Sequence, residues 1–152
     1  MSATVDQPAA EHRDRQVWMS LLARAEPARL AALLPELPRH QLLRAPEIGA
    51  VMVQGRIGGT GAPFNLGEMT VTRASVRMAS GEVGHAWVQG RDRDHATRAA
   101  ILDALMQGPD AATIRAGILD PLQREAADRR RIRAEKAAAT KVEFFTLVRG
   151  ED

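Results

Sequence analysis

Between Arg13 and Ala25 the apolar residues Val17, Trp18, Leu21 and Leu22 recur at the spacing of one helix face. Pro27 suits the first position of a second, shorter helix, expected to bury Leu30, Leu33 and Leu34 and to stop at Pro35 and Pro38. At His40 the period changes. Four runs, 40–49, 50–56, 68–78 and 82–90, alternate in twos as half-buried strands do. In the third run Thr70, Thr72, Ala74, Val76 and Met78 share one face, and Arg73, Ser75 and Arg77 the other. Ser80-Gly81 reads as a tight hairpin between the third and fourth runs. Connections this short predict an antiparallel meander, because a parallel crossover takes about a dozen residues or more.

The helical period returns after residue 92. Asp94 is the expected N-cap, Ile101, Leu102, Leu105 and Met106 form an apolar stripe, and Gly108-Pro109 ends the helix. A last helix is expected from about Pro121 to Lys141; it is charged nearly all round and so buries little against its own domain. Two phenylalanines follow in the segment VEFFTLVRG. The pattern predicts an α+β fold: an antiparallel sheet of about four strands, flanked by N-terminal helices, one central helix and a long C-terminal helix. Residues 1–12, polar and aperiodic, read as a disordered lead-in to a single domain at 13–152.

Composition narrows the chemistry. The 152 residues include no Cys and no Tyr, and of the 21 basic residues only Lys136 and Lys141 are lysines. The apolar runs are too short to span a bilayer, and the first residues lack the apolar core of a signal peptide, so a cytoplasmic protein is expected. Arginine grips phosphates, phosphonates and carboxylates in two-point contacts, although an Ala- and Arg-rich chain also follows from GC-rich coding. A net charge of +2 argues against a nucleic-acid binder, which needs a concentrated basic face.

The string VQGR occurs at 53–56 and again at 88–91, and Gly58-Gly59-Thr60-Gly61 follows the first copy. A phosphate-binding P-loop closes on Gly-Lys-Ser/Thr, whereas Ala62 and Pro63 stand here. Phe64 occupies the third-glycine position of a dinucleotide loop, and the chain continues into a strand rather than a helix. The loop is therefore either a connection packed by a partner, through Gly58, Gly59, Thr60 and Gly61, or an anion site anchored by Arg56. The second copy leads into a helix, so Arg91, Arg93 and His95 beside its N-terminus form a second candidate anion site. Against that stands a helix start capped by Asp94, with Asp92 paired to an arginine and no ligand. His12, His40, His85 and His95 lack metal-ligand spacing, and His85 reads as a hydrogen-bonded sheet residue. No nucleophile elbow occurs. These readings assign no catalytic residue and no metal site.

Several strings taken in order resemble the PhnG family, a subunit of the bacterial carbon–phosphorus lyase system. They are Trp18-Met19, Arg56 to Gly61, Leu66-Gly67-Glu68, Thr72 to Arg77, Trp87 to Asp92, His95-Ala96, Asp103 to Gln107 and Phe144 to Gly150. The resemblance implies a multi-subunit assembly with PhnH, PhnI, PhnJ and PhnL that lets bacteria use phosphonates as a phosphorus source. Its first step displaces adenine from ATP with a phosphonate such as methylphosphonate, giving α-D-ribose 1-methylphosphonate 5-triphosphate; a radical subunit later breaks the carbon–phosphorus bond. No catalytic role is carried over to any residue here. Radical cleavage of that kind uses an iron–sulfur cluster held by cysteine thiolates, which a chain without cysteine does not supply. The expectation is an accessory subunit that binds no cofactor alone, ATP and phosphonate being substrates of the complex. Phe144, Phe145, Leu147 and Val148 are its expected docking segment.

Overall fold

The computed structural model describes residues 7–141, with side chains described from His12 onward. Helix α1 (Gln7–Ala23) starts ahead of Arg13, so residues 7–12, expected as a disordered lead-in, are helical. Pro8 sits in the first turn, where its missing N–H costs no bond, and Ala, Glu and Arg after it favour helix. Trp18 and Leu22 are buried, but Val17 is 62% exposed and leaves the stripe drawn from the spacing. Helix α2 (Pro27–Leu33) has proline in its first turn and buries Leu30, as the pattern predicts.

The sheet is antiparallel in the order β1-β2-β3, with β1 His40–Arg56, β2 Pro63–Met78 and β3 Val83–Gln89. The first two apolar runs are one strand, so three strands form where four runs were read. Register shifts between Leu42 and Arg44, and between Arg44 and Glu47, carry the ladder through Pro46, which cannot donate a bond of its own. Gly81, at φ 108°, turns the chain from β2 into β3 as the Ser80-Gly81 signal predicts. Because β3 pairs only with Val71–Arg77, β1 and β2 continue past it as a two-stranded arm.

One sheet face is closed by helix α3 (Arg93–Leu105). Ala74, Val76, Met78, Ala86 and Val88 pack there against Ala96, Ala99, Ala100, Ile101, Leu102 and Ala104. The small residues let backbone meet backbone. A Cβ on Gly84 would stand 1.9 Å from the Ala100 carbonyl oxygen and 2.6 Å from the Ala104 amide nitrogen. The N-cap is Asp92 rather than Asp94: its extended backbone lets the carboxylate accept from the His95 amide at 2.8 Å. Asp94 lies in the first turn, where a negative charge still favours the helix dipole.

Helix α4 (Ala111–Ile114) runs through a widened π turn (Arg115–Leu119) into α5 (Asp120–Ala139) without leaving helical backbone angles. Pro121 lacks the N–H that would bond Gly117, and the widening sits directly before it. Ile118, Leu119 and Leu122 join the core; beyond Leu122 no residue of α5 is fully buried, in keeping with its charged sequence.

Candidate functional site

Four features outside the plain hydrophobic core carry polar chemistry. The first is Asp103, in the middle of α3 and fully buried. Its Oδ1 accepts from Trp18 Nε1 at 2.9 Å and Arg15 Nε at 3.1 Å, and its Oδ2 from Arg15 Nη2 at 2.7 Å and the His85 amide at 2.9 Å. One carboxylate thus ties α1, α3 and the free edge of β3 together. Four donors around two oxygens leave it little room for a ligand, so it acts as a structural anchor. Gln107 Nε2 donates to the Val83 carbonyl at 2.9 Å and covers the same strand edge.

The second feature is a ladder across the outer sheet face. Glu47, Arg73 and Trp87 stand in register on β1, β2 and β3. Arg73 donates to Glu47 Oε2 at 3.0 Å through Nε, and its guanidinium carbon lies 5.6 Å from the Trp87 ring centroid. Arg44 adds a 3.1 Å bond to the same Oε2. The hydrogen bond and charge of Arg73, then the hydrogen bond of Arg44, hold the Glu47 carboxyl below the usual glutamate range. Two residues further along β2, Ser75 Oγ and His85 Nδ1 lie 2.8 Å apart, the hydrogen-bonded sheet histidine that the alternation predicts.

The third is the tip of the arm. Ile57–Gly59 makes a single 3₁₀ turn in which Gly58 and Gly59 have φ of 61° and 82°. The Gly61 amide donates to the Ile57 carbonyl at 2.8 Å, and a Cβ on Gly61 would stand 2.6 Å from that oxygen. Arg56 donates to the Gly61 carbonyl at 3.1 Å and braces the turn from its base. The glycines are thus required by the turn itself. Around it Met52, Ile57, Phe64 and Leu66 are exposed by 40% to 68%.

The fourth is the start of α3. Arg91 and Arg93 are exposed there, but His95 is only 3% exposed, and its Nε2 donates to the Leu22 carbonyl oxygen at 2.8 Å. Its ring lies in the core rather than beside the helix terminus, which takes it out of the anion set drawn from the sequence. Asp92 also engages the amides of His95, through its carboxylate, and of Ala96, through its carbonyl at 3.2 Å.

The two VQGR copies do not meet. Gly90 at φ 95° donates to the Thr70 carbonyl, and Thr70 pairs with Ala50 at the root of the arm. Arg56 stands six positions further along β1, ~20 Å at ~3.3 Å per strand residue. Arg56 and Arg91 therefore cannot line one pocket within a single chain. The proposed docking residues Phe144, Phe145, Leu147 and Val148 lie outside the described residues. Among the described residues no group of three His, Cys, Asp or Glu is placed to hold a metal ion, and no helix is long and apolar enough to cross a membrane.

Asp103 escaped the pattern reading because that reading asks only which positions are apolar. A signal was present: an aspartate inside AAILDALM has Ala99, Ala100, Met106 and Gln107 at helical neighbour positions and no basic partner among them.

A sheet closed on one face by helices, with an exposed ladder on the other and an apolar-tipped arm, defines an α+β protein. Comparison with known proteins is specific. The family model for phosphonate metabolism protein PhnG matches residues 13–150, and the chain belongs to that family. It is also 48% identical, over 91% of its length and 90% of the relative's, to the alpha-D-ribose 1-methylphosphonate 5-triphosphate synthase subunit PhnG of Rhizobium meliloti (strain 1021).

Proposed function

We propose that this chain is the accessory subunit of an assembly that transfers a phosphonate such as methylphosphonate onto ATP. A phosphonate oxygen bonds the ribose carbon that carried adenine, the bond to the base breaks, and adenine leaves with a proton. The product is α-D-ribose 1-methylphosphonate 5-triphosphate. The observation that carries this reading is the 48% identity to a synthase subunit along nearly the whole of both chains. PhnH, PhnI, PhnJ and PhnL are the proposed partners, in the cytoplasm, and the chain alone is expected to turn over nothing and to bind no cofactor.

The arm supports a role in assembly. An isolated two-stranded ribbon is marginal in water, and this one ends in exposed Ile57, Phe64 and Leu66. Gly58, Gly59, Thr60 and Gly61 lie at that apolar tip as the proposed partner surface, and Phe144, Phe145, Leu147 and Val148 are proposed as a second contact. A purely structural role, without contact to substrate, is favoured by one observation: Arg56 spends a donor on the carbonyl of its own turn. Tagged protein recovered from phosphate-starved cells should bring the other synthase subunits with it, identified by mass. Recovery of the chain without any of them would contradict the reading.

A further inference from the structure

Along α1, residues 13, 16, 17, 20, 21 and 24 share one face, and along α5 residues 122, 123, 126, 129, 130 and 133 share another. The two faces line adjoining grooves of about 540 and 260 Å³. Arg24 and Arg130 border both; Arg13 stands on one side, Arg129 and Arg133 on the other. Among the described residues no Asp or Glu lines either groove, and none of the five guanidiniums makes an ion pair. This contrasts with their neighbours: Arg29 is paired to Glu125, and Arg131 to Asp128 and Glu135.

Where Arg24 and Arg130 do bond, the acceptors are neutral: Ser20 for Arg24, the Ala126 carbonyl for Arg130. Ser20 Oγ accepts from Arg24 at 2.8 Å, which leaves its own proton free to donate into the groove. Gln16 and Gln123 add amide donors to the larger groove. Like charges gathered along one groove repel, and among the described residues no carboxylate lines it to offset them. Planar, doubly donating guanidiniums with hydroxyl and amide donors between them suit phosphate oxygens.

We propose that the groove between α1 and α5, centred on Arg24 and Arg130, is a binding site for a polyphosphate chain such as the triphosphate of a nucleotide or sugar. The preference for a triphosphate over another polyanion rests on the proposed function, whose substrate and product both carry one. A single phosphate offers oxygens to fewer of the five guanidiniums than a chain of three phosphates does.

Titration of the full chain with inorganic tripolyphosphate by calorimetry tests this directly. Saturable one-to-one binding is expected, at least tenfold tighter than for orthophosphate. The pair R24Q/R130Q should weaken it roughly ten- to a hundredfold, while R77Q, on the outer sheet face, leaves it unchanged. Should the glutamine pair fail to fold by circular dichroism, R24K/R130K keeps stem and charge but loses the fork, and a several-fold loss is expected of it. No saturable binding, unchanged affinity in the arginine pair variants, or equal loss in R77Q would overturn the site. So would an arginine pair variant that no longer joins the assembly, from a wild-type chain that ignores tripolyphosphate; the groove would then be a protein interface. Failure here leaves the proposed function intact if adenine release by the assembly still requires the chain. Tripolyphosphate binding beside adenine release that ignores the chain would reject the function and keep the site.

Discussion

Trp18 and Asp103, 85 positions apart in the chain, are joined by a 2.9 Å hydrogen bond from the indole N–H to a wholly buried carboxylate. With Arg15 and the His85 amide on the same carboxylate, this contact locks the first helix and the β3 edge onto α3. Removing both carboxylate oxygens strands three donor groups. Asp103→Ala should destabilise the isolated chain by ~3–5 kcal/mol in urea unfolding, as breaking a buried pair does. Asp103→Asn keeps the shape and part of the bonding and should lose less. A loss below ~1 kcal/mol in the alanine variant would show that the network does not hold the fold.

Gly84 is set by contact rather than by turn geometry. Its missing Cβ is what allows α3 to lie against β3, with the Ala100 carbonyl in the place that a methyl group needs. Gly84→Ala should push the helix outward and cost ~1–3 kcal/mol or more, read as a lower urea midpoint at unchanged slope.

The Glu47 carboxyl titrates below the ordinary glutamate range, first because Arg73 hydrogen-bonds it. A depressed folded value means that this contribution is present at pH above the unfolded glutamate value and is lost as pH falls through the folded one. Carboxyl-resolved NMR should show a midpoint below that of an unpaired glutamate, returning toward it in Arg73→Gln. Both groups are solvent-exposed, so the effect on melting at neutral pH should be small and should shrink with salt.

At the arm tip, Gly61→Ala forces a Cβ to within 2.6 Å of the Ile57 carbonyl, so the turn must open. The arm lies away from the core, and the melting temperature of the isolated chain should hardly move. Co-purification with partner subunits should fall if the tip is the contact surface proposed here. Undiminished assembly would leave the tip as a solvent-facing turn.

The double change Phe144→Ala and Phe145→Ala addresses the second proposed contact. Burying one Phe is worth ~1.5–3 kcal/mol, enough for two to decide whether a complex persists. Near-normal folding with failed co-purification is expected. A large loss of melting temperature in the isolated chain would assign both rings to its own core.

The residues differ in how far the chain alone reveals them. The inward face of β2 was legible because Thr72, Ala74, Val76 and Met78 alternate cleanly, and α2 because proline and leucine bracket it. The continuity of β1 was not, since a glycine between two apolar runs, Gly49, reads as a break, and only its pairing opposite Val71 shows the ladder running through. Val17 and Trp18 share a hydrophobic stripe, and only packing sends one to solvent and the other to Asp103. The separation of Arg56 from Arg91 is a matter of register, and identical tetrapeptides carry no register. The basic groove lay hidden for a related reason: its arginines come from segments about a hundred residues apart, and α5 reads as charged nearly all round until α1 marks the side that it faces.

The most direct measurement of the account's central claim is adenine release from ATP plus methylphosphonate by the reconstituted synthase subunits, with and without this chain. The account predicts no release by the chain alone, release by the complete set, and loss of most of that release when this chain is omitted. Equal release with and without it, or turnover by the isolated chain in proportion to its concentration, would contradict its place as an accessory subunit of that reaction.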